Sequence, residues 1–276
     1  MKIIRHNSEI LEAQISDKNF RIIWLSDLHF DSKFSEWEKV KKYLNENPDV
    51  YIVIGGDSVD VMQFTMDRRA SKNAIKEEHN GDDYANRVII TVRKEIVDKY
   101  KDRIICWNRG NHDNSIIKHH NIDLLSLICG VDVHVHEYSG YIVLGQTWNK
   151  KRKSNLTIHF SHSPMGGGVV TKGALGIDRA KAQYPSADIW ICEHIHDNLV
   201  HAVRHEFLNA EHMTINQKTK WYIQNMACKQ ESQGPRNGFH YETNKGNRAS
   251  GILELSFIHD YKDHRLTCNK VNHIVF

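Results

Sequence analysis

No apolar run in this 276-residue chain approaches the ~20 residues a membrane-spanning helix needs, and the start, Met1-Lys2-Ile3-Ile4-Arg5-His6, lacks a sustained apolar segment. A span or a secretion signal is therefore not expected. The five cysteines, Cys106, Cys129, Cys192, Cys228 and Cys268, show no CxxC spacing. Their odd, scattered placement excludes a disulfide framework and reads as reduced thiols of a soluble cytoplasmic protein. Charge of one sign is also scarce. A net charge of +3 and a pI near 8.5 are too mild to announce a nucleic-acid binder, yet compatible with any anionic substrate. Internal repeats and low-complexity tracts are absent. With 40% hydrophobic residues, the chain can still bury a large core.

What is present in excess is histidine, nineteen in all. Most read as solvated or core polar groups; those that follow strand-like runs draw attention. Arg103 to Trp107 reads as a buried strand, and Asn108-Arg109-Gly110-Asn111-His112-Asp113 leaves it at the carboxyl end, where α/β proteins place their chemistry. There, an amide oxygen beside an imidazole suits a metal ligand next to a proton donor, and Gly110 is expected to allow a sharp turn. Arg21 to Leu25 is a second such run, followed by Asp27-Leu28-His29, whose oxygen and nitrogen can converge on one cation. Val50 to Ile54 is a third, ending in Gly55-Gly56-Asp57-Ser58-Val59-Asp60; Asp57 is placed to bridge two ions, and Asp60 reads as a turn or supporting group. Leu156 to Phe160 leads to His162, and Ile189 to Cys192 leads to Glu193-His194-Ile195-His196.

Between these strands, helical spacing spans Asp31 to Asn47, Asn86 to Lys101 and Ile122 to Cys129, with a short helix through Ile177, Ala180 and Tyr184. Residues 1–19 suggest an edge strand or hairpin arm. Val131 to His136 alternates like a half-exposed strand with its histidines outward. Tyr141 to Leu144 pairs with Leu156 to Phe160 as antiparallel neighbours, and later strands fall at Leu199 to Phe207, Lys220 to Ala227 and Gly251 to Ile258.

The series Asp27-x-His29, Gly56-Asp57-x-x-Asp60, Gly110-Asn111-His112-Asp113, His162 and His194-x-His196 closely resembles the calcineurin-like metallophosphoesterase superfamily over residues 21–197. The resemblance implies a four-layer αββα sandwich of two mixed β-sheets flanked by helices. A single domain over 1–276 is expected, with its core at about 20–200 and with 201–276 completing the second sheet or a small cap. It also implies two divalent ions, manganese first, with iron, zinc or nickel as alternatives. Asp27, His29, Asp57 and His196 would hold one ion, and Asp57, Asn111, His162 and His194 the other. Carboxylate-bridged ions of this kind lie ~3.5–4 Å apart and make hydroxide available at neutral pH. By the same analogy His112 is the general acid; Asp113 either orients it or caps a helix.

Two residues depart from the family pattern. Glu193 stands where glycine usually precedes His-x-His, and is open to three readings: support for a ligand, tighter metal binding, or repulsion of an anion. Arg109 replaces a common proline and could clamp phosphate. The loop from Met165 to Ala174, through Gly167 and Lys172, offers N–H groups and one cation to an anion without P-loop spacing. The expected activity is phosphodiester hydrolysis on a nucleic acid or nucleotide, with Lys150-Lys151-Arg152-Lys153 and the basic 229–248 stretch as candidate backbone contacts. A phosphomonoesterase and a non-catalytic scaffold are the alternatives, to be decided by loops 61–85, 163–175 and 228–250.

Overall fold

The computed structural model describes residues 1–61, 74–148, 152–162, 174–230, 248–260 and 265–276. With strands numbered along the chain, the smaller sheet centres on β3 (Asn19–Leu25), β4 (Tyr51–Ile54) and β5 (Ile104–Asn108), all parallel. The two-residue β6 (Val135–His136) extends it on one side; β12 (Gly251–Asp260) and β13 (Arg265–Val275) extend it antiparallel on the other. The larger sheet runs β1 (Lys2–Arg5), β2 (Ile10–Gln14), β7 (Ser139–Trp148), β8 (Arg152–Ser161), β9 (Ile189–Cys192), β11 (Thr214–Gln224) and β10 (Leu199–Asn209).

Period-two alternation explains how the layers stack. In β3, Ile22 and Trp24 face the larger sheet and pack with Ile142, Ile158, Phe160 and Ile191, whereas Ile23 and Leu25 face the helices. A strand covered on both faces is apolar throughout, so β3 reads Ile-Ile-Trp-Leu without a polar break. The outer helical layer of the small sheet contains α1 (Trp37–Glu46), α2 (Tyr84–Val92) and α5 (Leu124–Cys129). A π-helical turn, Arg93–Val97, joins α2 to the short α3 (Asp98–Tyr100). On the far side, Ile177 and Ala180 of α6 (Ala174–Gln183) cover Trp190 and Tyr222 of the larger sheet. The result is the four-layer αββα sandwich of two mixed sheets.

Several elements differ from their sequence expectations, each for a tertiary reason. The first helix starts at Trp37 instead of Asp31, because the Asp31 carboxylate accepts from the backbone N–H groups of Asp60 (2.7 Å) and Val61 (3.0 Å). A helix that periodicity does not reveal, α4 (Asn111–His120), begins directly at the Gly-Asn-His motif. Of the Val131–His136 run only two residues form a strand, and His136 turns inward, its ring edge-on to Phe160. The mostly polar residues 214–219 extend β11 because β10 pairs with them along their whole length.

His136 and His159 are both buried, and His159 stacks on Tyr184 with ring centres 3.6 Å apart. Burial pushes each imidazole down to about 4, below the ~6.5 of an unfolded chain. Between these values the unfolded chain binds more protons, so this stability is fully present above ~6.5 and is lost as pH falls through about 4. The melting temperature of the metal-free protein is therefore expected to fall between pH 6.5 and 4, with a weaker dependence in His159→Phe. A flat profile across that window contradicts the assignment.

Candidate metal centre

Strands β3, β4 and β5 are parallel to one another, and β8 is parallel to β9, so each group ends on one rim of its sheet. Beyond β3 and β4 the loops continue to pair: Asp27 N–H donates to the Gly56 carbonyl (3.0 Å), and His29 N–H to that of Asp57 (3.1 Å). The two sheets meet at this rim, where His196 Nε2 lies 2.9 Å from Asp27 Oδ1.

Asp27, His29, Asp57, His194 and His196 adopt left-handed backbone conformations, with φ of 51, 40, 55, 76 and 57°. Such conformations cost non-glycine residues roughly 1–3 kcal/mol each and persist where the surroundings impose them, often at functional sites. Here they turn five side chains off the strand ends into one cleft.

The side chains gather into three donor groups, one of which, His29, Asp60 and His112, shares His29 with a second. Asp27, His29 and His196 form that second, and Asp57, His162 and His194 the third; within each, the donor atoms lie within 4.8 Å of one another. Asp57 Oδ2 lies 3.1 Å from His162 Nε2 and 3.9 Å from His194 Nδ1. Among the described residues, the side-chain oxygen of Asn111, the first residue of α4, is buried without a hydrogen-bond partner, and His29 Nε2 is likewise buried and unpartnered. Leaving buried acceptors orphaned is costly unless something else binds them. Mixed carboxylate, amide and imidazole donors suit a first-row divalent ion. The residues therefore fit the metal that the sequence resemblance implies.

Electrostatics points the same way. Burial alone would raise the Asp27 carboxyl, but His196 and His162 hold it below the usual carboxylate range. Burial likewise opposes Asp57, which His162 and His112 hold low. His162, depressed by burial, is lifted well above an ordinary imidazole by Asp57 and by hydrogen bonds to Asp57 and Glu193. Two buried carboxylates among imidazoles thus keep negative charge where a cation would sit.

His112 follows Asn111 on α4; its backbone N–H donates to Asp57 Oδ1 (2.8 Å) and its Nδ1 lies 3.0 Å from Asp60 Oδ1. Asp60 also meets the His29 ring, and the Lys229 ammonium stands 3.8 Å from its other oxygen. Asp113 faces elsewhere: its Oδ2 accepts from the N–H groups of Gly110 (2.8 Å) and Asp57 (3.1 Å), which caps α4 and ties it to the β4 loop. Burial, then repulsion from Asp57, pushes the Asp113 carboxyl up to about 7. Gly110 has an ordinary extended backbone, φ −117°, so a sharp turn does not explain it. A Cβ there would lie 2.1 Å from the Asp57 nitrogen, and close approach is what requires glycine.

Arg109 directs both guanidinium nitrogens at Asp123, at 2.9 and 2.6 Å, instead of at the cleft. Gly167 and Lys172 lie outside the described residues. Arg152 opens β8 and His162 follows its end, about 30 Å away at strand spacing, while Lys150 and Lys151 lie outside the described residues. Lys229 went unremarked as a single residue in the sequence, because no pattern marks it; a backbone bridge to Ser35 brings it to the cleft.

The sequence profile of the calcineurin-like phosphoesterases matches residues 20–198. No curated protein matches the chain. Among solved structures, the calcineurin-like phosphoesterase YfkN from Bacillus subtilis is similar at 12% identity and a TM-score of 0.39, covering 93% of this chain and 90% of that one. GAP50, the anchor in the inner membrane complex of Plasmodium, aligns at 11% identity and a TM-score of 0.42, covering 94% and 90%. A novel phosphatase from Mycoplasma pneumoniae aligns at 10% identity and a TM-score of 0.39, covering 93% and 94%.

Proposed function

For a chain that belongs to the calcineurin-like phosphoesterase family, we propose a phosphodiesterase that acts on a nucleotide or nucleic acid through two divalent ions, manganese foremost. The observation that carries this reading is the convergence of six donors from four strand ends; His29 among them, and Asn111 at the start of α4, have buried atoms that nothing among the described residues satisfies. Asp27, His29, Asp57 and His196 would hold one ion, and Asp57, Asn111, His162 and His194 the other. When bound, the ions supply hydroxide at neutral pH and offset charge on the phosphate. His112 gives the leaving oxygen its proton, and Asp60 holds the ring by Nδ1 so that Nε2 faces the cleft.

Charge supports a diester. Arg109 is committed to Asp123 and Lys229 stands against Asp60, so the described part of the cleft offers little cationic charge beyond the metals. A singly charged diester needs less than a doubly charged monoester. One core, packed between the two sheets, draws residues from both, which supports one catalytic domain over 1–276. No helix among the described residues is long and apolar enough to cross a membrane. Five free thiols, four of them buried, suit the reducing cytoplasm.

The test is hydrolysis of bis-p-nitrophenyl phosphate by the protein loaded with Mn²⁺, followed by the mono ester and single-stranded DNA. Faster diester turnover is expected. Faster monoester turnover makes the protein a phosphomonoesterase, and no turnover with any divalent ion makes it a scaffold.

A further inference from the structure

Glu193, immediately before His194, is completely buried. A buried carboxylate is costly unless hydrogen bonds compensate it, and here three donors converge on it. Trp24 Nε1–H donates to Oε1 at 2.5 Å, Gly56 N–H donates to Oε2 at 2.9 Å, and His162 Nδ1 lies 2.9 Å from the same Oε2. With Nδ1 carrying a proton toward Glu193, the neutral His162 ring presents the lone pair of Nε2, the atom that faces Asp57.

The space for this carboxylate is built by the other sheet. A Cβ on Gly55 would lie 2.3 Å from Glu193 Oε1 and 2.7 Å from its Cδ. The second glycine of the β4 tip therefore has company: one keeps room for Glu193, and its neighbour Gly56 supplies an N–H to it. Two segments 138 positions apart in sequence thus fit each other because glycine on one side leaves room for glutamate on the other. The group of Asp27, His29 and His196 repeats the device, with the Asp60 carboxylate behind His29 Nδ1.

We infer that Glu193 is a positioning residue which fixes the tautomer and orientation of His162, and thereby sets the affinity of the metal position formed by Asp57, Asn111, His162 and His194. The inference rests on the two-ion reading above, but not on any substrate. Carboxylates that back a metal-bound histidine typically contribute 10–100-fold to metal affinity. The partnership of Asp60 with His29 leaves the other position supported independently of Glu193.

Mn²⁺ titration of the metal-free chain, read by calorimetry and by bound metal per chain, tests this without reference to hydrolysis. The unaltered protein is expected to bind two ions. Glu193→Ala should lose ~10–100-fold in affinity at one position with the other unchanged. Asp27→Asn, introduced separately, identifies which position is which. A purely structural Glu193 would lower the melting temperature and leave both affinities alone; that result, or an equal loss at both positions, overturns the inference. In Glu193→Gln the amide nitrogen would face the Trp24 N–H, donor against donor. The double variant Glu193→Gln with Trp24→Phe removes that conflict and keeps an acceptor for His162. It should recover most of the affinity, and it carries the test if Glu193→Ala does not fold. Failure of the double variant to bind better than Glu193→Ala, or, where that variant is unfolded, than a chain with Trp24→Phe and Glu193→Leu, counts against the positioning role. If no variant and not even the unaltered chain binds a second ion, it is the two-ion reading that fails.

Discussion

Asp57→Asn is expected to abolish most of the phosphoesterase activity, a loss of more than ~100-fold, which exceeds what removal of a mere supporting partner costs a metal site. The substitution preserves size, and asparagine tolerates the left-handed backbone found at this position, φ 55°, better than most residues. What it removes is the carboxylate proposed to bridge the two ions: Oδ2 lies 3.1 Å from His162 Nε2, while Oδ1 accepts the His112 N–H that anchors α4. Bound manganese should fall from two ions per chain to one or none, with the fold retained by circular dichroism. Full activity, or two ions still bound, would remove Asp57 from the bridging position.

His112→Ala should lower turnover by ~10²–10⁴, the range over which a positioned general acid acts. The loss is graded by chemistry. It should be greatest for diesters with alkoxide leaving groups, which need a proton, and least for p-nitrophenolate, which departs without one. Metal content should stay at two, since His112 Nε2 stands 3.8 Å from Asp57 Oδ2 and supplies no donor to either ligand set proposed here. Asp60→Asn should reproduce a fraction of the same leaving-group dependence, because Asp60 faces His112 Nδ1. Asp113→Asn should act instead on stability, since its carboxylate caps α4 through Gly110 and holds the Asp57 backbone. An equal loss for good and poor leaving groups in His112→Ala would count against proton donation.

The donors were legible in the sequence because each directly follows a short apolar run, and strand ends are where a sandwich of this kind exposes polar groups. Asp27, Asp57, Asn111, His162, His194 and His196 needed only order and spacing. Their support was legible only as open alternatives. Asp60 and Asp113 are both carboxylates three or fewer residues from a ligand or general acid, and only the fold decides that Asp60 meets His112 while Asp113 meets backbone N–H groups. Glu193 was visible as a departure from pattern, but its role depends on Trp24 and Gly55 from the opposite sheet. Helix α4 escaped notice because Asn-His-Asp-Asn-Ser carries no apolar period; its start is held by the Asp113 cap. The inward turn of His136 follows from Phe160 across the sandwich, which alternation in one strand does not report.

The account depends above all on two ions sharing Asp57, and anomalous diffraction at the manganese edge from crystals grown with Mn²⁺ addresses that directly. Two peaks are predicted, one among Asp27, His29 and His196, the other among Asn111, His162 and His194, with Asp57 between them. A single peak, or manganese bound elsewhere while these side chains stay apart, would contradict it.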